Sequence, residues 1–577
     1  MVAQFHGFKI TRIEKEVSVS KTVEKPVAGE MSHRQILLVL VGLMAGMFLS
    51  ALDQSVVGTA MRTIADDLHG LELQAWVTTA YLITSTISTP IYGKLGDIFG
   101  RRRLFLIAIM IFVLGSALSA LSGSMLELAG WRALQGIGAG GLFSLAITVL
   151  SDIVPARERA RYQGYFLAVF ATSSVLGPVV GGLFADAGMI LGIAGWKWIF
   201  LINVPIGAIA IYLVWRFLHV PHTPVKHRID WLGATTIIMA VVPMLLVAEN
   251  GRDWGWTSTT SLAYYAVSII GIVSFIYAER AAGDEAILPL KLFKSRTFTS
   301  VTILGVIVGV GMFGGMMTLP LLIQIVNGAS PTESGFLMLP MVAGMMSASI
   351  VSGQVTSKTG KYRIFMITGT GMLMLGYVSL FAYQYNTPMW VMSVSMVIIG
   401  MGLGQLMQTL TLAAQNAVSP QDIGVATSSS MFFRQMGGTL GVAVFISILF
   451  NRLPDAIKSA LENTSVKNDM AAAAKEILTK AATGEIKADD PNLLFLKEAA
   501  ADPAGLGDKL NGDSSFLTQL DPRLARPFLM GFADSAVTVF VAAAAVVAIA
   551  FAMSWFIKAP ALRDKSNAAE AAASSAH

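Results

Sequence analysis

Apolar runs of about 20 residues, separated by short polar stretches, succeed one another from residue 35 to residue 450 and recur at 528–557. A bilayer core is roughly 30 Å thick, so each run is long enough to cross it as a helix. The pattern predicts spans at 35–60, 75–97, 103–123, 126–152, 160–186, 197–218, 230–249, 258–280, 298–325, 334–356, 363–384, 388–414, 422–450 and 528–557, fourteen helices in all. The polar breaks ENGRDWGWTS and NGASPTESG are the clearest, and the break near Gly123 is the shortest. The expected fold class is an all-α membrane protein.

Composition agrees with the pattern. Of 577 residues, 54% are hydrophobic and only 13% charged, well below the roughly 25% charge of a soluble domain. Short loops carry their Lys and Arg unevenly: the N-terminal tail, GRRR, ARERAR, VKHR, KLFKSR, KTGKYR and KAPALRDK fall on one side, and Arg62, Lys197 and Arg252 on the other. By the positive-inside rule both termini are expected in the cytoplasm, with 1–34 a cytoplasmic tail too polar for a secretory signal and 558–577 a second tail. The segment 451–527 then lies outside, as the rule permits for long loops. The formal charge of +5 is accounted for by this asymmetry and by contact with anionic membrane lipid, so no nucleic-acid partner is implied. With no cysteine in the chain, the outer loop has no disulfide and thiolate metal sites are excluded.

The chain also repeats itself. GKLGDIFGRRR (93–103) and GQVTSKTGKYR (353–363) share Gly, six residues, Gly, a base, one residue and Arg, and each joins two spans on the expected cytoplasmic side. Duplicated halves are a transporter architecture. The division is an N-terminal six-helix half at 35–218, an inserted helix pair with its loops at 219–297, and a C-terminal six-helix half at 298–557 containing the external loop.

These motifs carry a specific resemblance. GKLGDIFGRRR is similar to the cytoplasmic loop motif of the major facilitator superfamily, RALQGIGAG (132–140) to its fourth-helix motif, and GPVVGG (177–182) to the fifth-helix motif of its antiporters. LDQSVVGTA resembles the first-helix motif of the fourteen-helix drug:proton antiporters, with Ser55 and Gly58 where Thr and Asn are usual. The second loop copy has Ser357 in place of Asp97, so the two halves are unequal. The resemblance covers roughly 35–450 and 528–557. It implies a conformational latch at Gly93, Asp97, Gly100, Arg101 and Arg102 that holds the halves together on the cytoplasmic side. There Asp97 would meet the positive end of a helix from the other half; three arginines anchoring a loop inside is the plainer reading.

Small residues have two readings as well. Gly177, Pro178, Gly181 and Gly182 make a smooth, bendable face on the fifth span, and Gly437, Gly438 and Gly441 a similar one on the thirteenth. Such faces suit halves that rock, and they also suit a static packing seam.

Asp53 lies in an apolar run about seven residues, roughly 10 Å at 1.5 Å per residue, from the outer end of its span. Arg132 sits at matching depth in the fourth span. An acid at a helix centre costs about 2.5–3.5 kcal/mol, so it normally faces a partner or a cavity. Burial favours a neutral acid and a facing arginine favours a charged one, so a site pulled both ways can be switched by a proton. A permanent structural pair is the competing account. Asp534 in the last span is a secondary proton-coupling candidate, with an interfacial cap as its alternative, whereas Glu127, Asp152, Asp186 and Asp230 lie near span ends and read as solvated. Trp76, Tyr81, Gln135 and Arg434 are candidates for the substrate cavity.

Thirty methionines and thirty phenylalanines favour adaptable apolar walls, most of them serving ordinary packing. Few acids lie at mid-membrane depth, so the expected substrate is a small hydrophobic or amphiphilic compound. No Walker lysine loop occurs, and no cofactor is expected: a proton gradient supplies about 2.3 kcal/mol per charge per 100 mV. The sequence therefore reads as a proton-coupled antiporter for multidrug efflux in a bacterial inner membrane. An exporter of an endogenous lipid or siderophore is the alternative within transport, and the alanine-rich 451–527 loop is a candidate docking surface for an envelope partner. A non-transporting sensor, or an intramembrane enzyme, ranks below, since no His occurs from Gly70 to Leu218.

Overall fold

A computed structural model describes residues 33–69, 73–218, 229–487, 489–501, 515–558 and 562. The first 32 residues, the VKHR segment, GDKLNGD and most of the C-terminal tail lie outside these. The chain is helical nearly throughout. In order come α1 (His33–Asp67), α2 (Gln74–Phe99), α3 (Arg101–Ala120), α4 (Met125–Ile153), α5 (Ala156–Asp186), α6 (Lys197–Leu201), α7 (Asn203–Phe217), α8 (Trp231–Trp254) and α9 (Thr259–Ala282). Then follow α10 (Arg296–Val326), α11 (Pro331–Leu337), α12 (Leu339–Thr359), α13 (Arg363–Val378), α14 (Met389–Asn416), α15 (Ile423–Glu462), α16 (Thr464–Ala482), α17 (Pro491–Ala501) and α18 (Pro522–Ser554). A two-residue-per-strand hairpin, Met189–Ile190 with Ile193–Ala194, links α5 to α6.

Every expected span coincides with helix. Among the described residues, twelve helical segments are long and apolar enough to cross a membrane. The second and eleventh expected spans are helical but fall below that measure: α2 carries the polar run TSTISTP, and α13 has 16 residues. Helices begin where the polar breaks supply caps. Ser258, Ser295 and Asp230 accept backbone N–H groups at the starts of α9, α10 and α8, and Ser330 with Glu333 forms a capping box on α11, satisfying donors that would otherwise be stranded.

Packing follows a repeated plan. In the first helix set α1 packs on α5 and α7, α2 on α4, and α3 on α4 and α7; in the second, α10 packs on α15 and α18, α12 on α14, and α13 on α14 and α18. Two seams join the sets, α5 against α12 and α2 against α15. The α8–α9 pair packs on itself, and α8 lies over the second seam, where Ile237, Val241 and Leu245 share a buried cluster with Ile83 and Ile87 of α2 and Phe432 of α15.

Element ends differ from the sequence expectation where tertiary contacts extend a helix. α1 continues past 60 to Asp67 because Ala60, Ile64 and Ala65 are buried and Trp196 Nε1 donates to Asp67 at 2.7 Å. Asp53 is thus deeper in its helix than a span ending at 60 implies. α15 likewise runs beyond 450 to Glu462, and α18 starts at Pro522 rather than 528. These extensions and the alanine-rich helices α16 and α17 form a small bundle. Val466, Ala473 and Ile477 line the buried side of α16, Phe495, Phe516 and Phe528 make ring contacts at 5.8–6.3 Å, and Arg523 pairs with Glu476 at 2.9 Å.

Candidate functional site: a buried carboxylate network and a helix-end latch

Arg132 and Gln135 stand three apart on α4 and therefore share one face. That face meets α1 at Asp53. Arg132 Nη1 donates to Asp53 Oδ2, Gln135 Nε2 donates to Oδ1 at 2.8 Å, and Arg132 also donates to Gln135 Oε1 at 2.7 Å. A third donor comes from α7: Asn203 Nδ2 reaches Asp53 Oδ1 at 3.0 Å and Ser116 Oγ at 2.9 Å. The Tyr81 ring lies 4.1 Å from the Arg132 guanidinium, and the Tyr81 hydroxyl meets Ser50 at 2.8 Å. The ring's negative face favours the cation. Asp53 and Arg132 are each 1% exposed, so the ion pair is closed off from solvent in this conformation.

The network combines a sequence-predicted core with residues that sequence reasoning missed. Asp53, Arg132, Gln135 and Tyr81 come together as candidates; Asn203 and Ser116 were not among them. Asn203 opens α7 just after the break from α6, with Pro205 in its first turn, where a missing N–H is tolerated. A polar amide two residues before a proline inside an apolar span was the available signal. Two polar atoms here, Arg132 Nε and Asn203 Oδ1, are buried without a hydrogen-bond partner.

The loop-motif residues assemble at the Lys/Arg-rich end. Gly100, at φ 90°, makes the tight turn between α2 and α3. Arg101 donates to Asp97 at 2.8 Å and also pairs with Asp152, while Arg102 donates to the Trp215 carbonyl. Asp152, read from sequence as solvated, is instead 7% exposed and part of this cluster. Asp97 lies against the first turn of α15: a Cβ on Gly424 would sit 2.2 Å from its Oδ1. One turn away Gly93 faces Ser428, whose Oγ would be 1.9 Å from a Cβ at that glycine. Across the same end, Arg159 of α5 donates to Gln415 of α14 at 3.4 Å, and Gln415 donates to Thr427 of α15 at 3.0 Å. Arg159 is 2% exposed, although the sequence presents it as one base among several in a loop.

The small-residue faces are close helix contacts. Gly177 and Gly181 of α5 pack on Ser55 and Val56 of α1, and Gly437 and Gly441 of α15 on Val306 and Val310 of α10. Ser55 also donates to the Ser173 carbonyl at 3.1 Å, so this departure from the motif fills a seam. Pro178 and Gly182 instead face the second helix set at Gly335 and Thr332.

Three candidates lie apart from the Asp53 network. The Asp534 side chain is 61% exposed and sits 3.9 Å from Arg452 of α15. Trp76 is 38% exposed at the start of α2. Arg434 is buried on α15.

The Major Facilitator Superfamily profile matches residues 43–442. The chain is 41% identical over 422 residues to the multidrug transporter protein MdtP of Bacillus subtilis, covering 73% of this chain and 76% of that one. It is 34% identical to multidrug resistance protein 3 of the same organism, over 72% of this chain and 81% of that one. Among solved structures, a double-tryptophan mutant of XylE superposes with a TM-score of 0.54 at 16% identity, covering 93% of this chain and 98% of that one, a likeness of fold. With the repeated helix plan and the loop motif in place, these matches establish that the chain belongs to the Major Facilitator Superfamily.

Proposed function

We propose that this protein is a proton-coupled antiporter that exports small hydrophobic or amphiphilic compounds by alternating access, as a fourteen-helix drug:proton antiporter of a bacterial cytoplasmic membrane. The two helix sets act as the halves, 35–218 and 298–557, with the pair within 219–297 inserted between them and both termini cytoplasmic. Relatives named as multidrug transporters support the efflux reading. The observation that carries proton coupling is the buried Asp53 network.

Asp53 accepts hydrogen bonds from three donors, Arg132, Gln135 and Asn203. A proton arriving on Asp53 cancels the ion pair and frees Arg132 for another partner. Asn203 needs only an amide rotation to accept the new O–H, because its Oδ1 is buried and unpartnered. Neutral and charged Asp53 thus prefer different arrangements of α1, α4 and α7. Asp97 of α2, set against the start of α15, supplies the second half of the device: an acid at a helix N-terminus is stabilised by the helix dipole, and this contact is made only while the halves are together at the Lys/Arg-rich end.

Vesicle transport tests the reading. Inverted membrane vesicles containing the protein are expected to accumulate a lipophilic dye when a proton gradient is imposed and to stop when it is collapsed. Accumulation that ignores the gradient, or none from a broad panel of amphiphiles, overturns it.

A further inference from the structure

We propose that Glu279, in the inserted helix pair, is a second proton-binding site: its carboxyl carries a proton shared with Asp230, and that proton seats the segment after α9 across the seam between α2 and α15. The site is separate from Asp53, and the inference does not depend on what the protein exports.

Glu279 stands in the last turn of α9 and is 1% exposed. Its Oε2 accepts the Leu288 N–H at 2.9 Å, while its Oε1 is buried without a hydrogen-bond partner. Asp230, which the sequence presents as solvated, shows the same division. Its Oδ1 caps α8 by accepting the Gly233 N–H at 2.7 Å, and its Oδ2 is buried without a partner. The two orphan oxygens meet at Gly233. A Cβ there would sit 2.3 Å from Asp230 Oδ2 and 2.9 Å from Glu279 Oε1, so the oxygens are no further apart than those two distances laid end to end. The charged groups facing Glu279 are Asp230 at the α8 cap and Lys94 of α2. The Lys94 ammonium donates instead to the Asp284 carbonyl at 2.6 Å, with Asp97, Lys291 and Asp422 around it. Among the described residues no base forms an ion pair with either acid.

Two carboxylates with unpaired oxygens in one buried site do not both stay ionised, and a single proton satisfies both orphans as an O–H···O bond. The helices decide which acid holds it. Asp230 sits at the N-terminus of α8, where the dipole and the cap favour a charged oxygen. Glu279 sits at the C-terminal end of α9, where the dipole disfavours one. A neutral Glu279 donates from Oε1 to Asp230 Oδ2 and still accepts the Leu288 N–H at Oε2. Asp230 is only part-buried and lines a cavity of about 290 Å³ with Lys94, Trp231 and Ile287, so a proton reaches the pair from the Lys/Arg-rich end. The consequence lies in the segment 283–295. Ala286, Ile287 and Leu288 are buried, Lys94 holds the Asp284 carbonyl, Lys291 pairs with Asp422 at 3.2 Å just before α15, and the Phe293 ring packs on Phe433 of α15 at 6.1 Å. The segment is thus strapped over the same α2–α15 seam that Asp97 closes. Loss of the proton leaves two adjacent buried negative charges; they part, the Leu288 anchor goes with them, and the strap loosens.

The experiment uses purified full-length protein in lipid nanodiscs. Infrared difference spectra of the unaltered protein against Glu279→Gln at about pH 7.5, where ordinary carboxyls are ionised, are expected to show the carbonyl band of one protonated carboxylic acid that the variant lacks. Hydrogen exchange then reads the strap. Corrected for the pH dependence of the chemical exchange rate, protection of amides in 284–292 should fall between about pH 6 and about pH 9, approaching about tenfold per pH unit, the limit for one released proton. Glu279→Gln imitates the neutral acid and should hold protection within about twofold over that range. Asp230→Asn keeps a capping oxygen and removes the neighbouring charge. It should flatten the profile too, which covers the case in which the glutamine variant folds poorly. The absence of a protonated band assignable to Glu279, or an equally flat profile in the unaltered protein, overturns the proposal, since an ionised Glu279 serving only to anchor Leu288 predicts both. So does protection that follows sodium concentration at fixed pH, which would make the occupant a metal cation.

Discussion

At Asp53 the decisive quantity is the difference between losing a proton and losing a partner. Asp53→Asn preserves shape and can still receive one of the amide donors, but it cannot release a proton. Uphill export should fall to background, and substrate addition to the purified variant should release no protons, while binding persists. Proton release and export like those of the unaltered protein would move the coupling role elsewhere, with Asp534 next to examine despite its exposure. Arg132→Ala is predicted to be harsher on folding. It leaves the Asp53 carboxylate buried with only neutral donors, a change worth about 3–5 kcal/mol, and the yield of folded protein reports it.

Glycines give a second residue-scale comparison. A Cβ at Gly177 would lie 2.0 Å from Ser55 Oγ, whereas one at Gly58 meets nothing within 4 Å. Gly177→Ala should therefore cost about 1–3 kcal/mol through overpacking, and Gly58→Ala should be neutral or slightly stabilising. Thermal unfolding of both variants in one detergent compares them directly. Equal midpoints would show that the α1–α5 seam yields easily.

At the level of elements, the latch is a contact between the end of α2 and the beginning of α15. Asp97→Asn removes the charge that faces the α15 dipole and pairs with Arg101, yet nearly keeps its shape. The variant should insert normally and spend less time closed at that end. Spin labels on α2 and α15 can measure this cleanly, because the chain has no cysteine of its own: a longer or broader distance distribution is expected. Ser357→Ala, in the second copy of the motif, carries no charge to lose and should change the distribution less. Equal effects at both positions would assign the latch to loop geometry.

For the whole molecule, the bundle of α16, α17 and the extended ends of α15 and α18 is tied together partly by charge. Lys480 and then Arg523 hold Glu476 below its ordinary value of 4.5, and Arg523 holds Asp521 below its ordinary 3.8. Groups whose values fall on folding stabilise above their unfolded values and lose that contribution as pH drops through the folded ones. Protection of α16 amides from hydrogen exchange should therefore be steady from neutral pH down to about 4.5 and decline below it. Glu476 is exposed and Asp521 is partly open to solvent, so the change is small. Decline already at pH 6 would mean that another group holds the bundle.

Local information was enough for the class of the molecule. Apolar run length, the Lys/Arg asymmetry and the two copies of one loop motif do not depend on which helix touches which, so helix positions, the repeat and the family resemblance were legible directly. The matching depths of Asp53 and Arg132 also gave their pairing, since a charge in lipid leaves few options. What followed from tertiary structure alone was everything set by packing between distant segments. Asn203 reached the carboxylate only through the broken helix of α6 and α7, with Ser116 of α3 attached through Asn203, Asp152 and Arg159 became buried polar contacts rather than solvated charges, and α1 and α15 outran their apolar runs. A linear pattern records how apolar a residue's neighbours in the chain are, whereas these outcomes depend on which side chains arrive from elsewhere to supply a donor or cover a face.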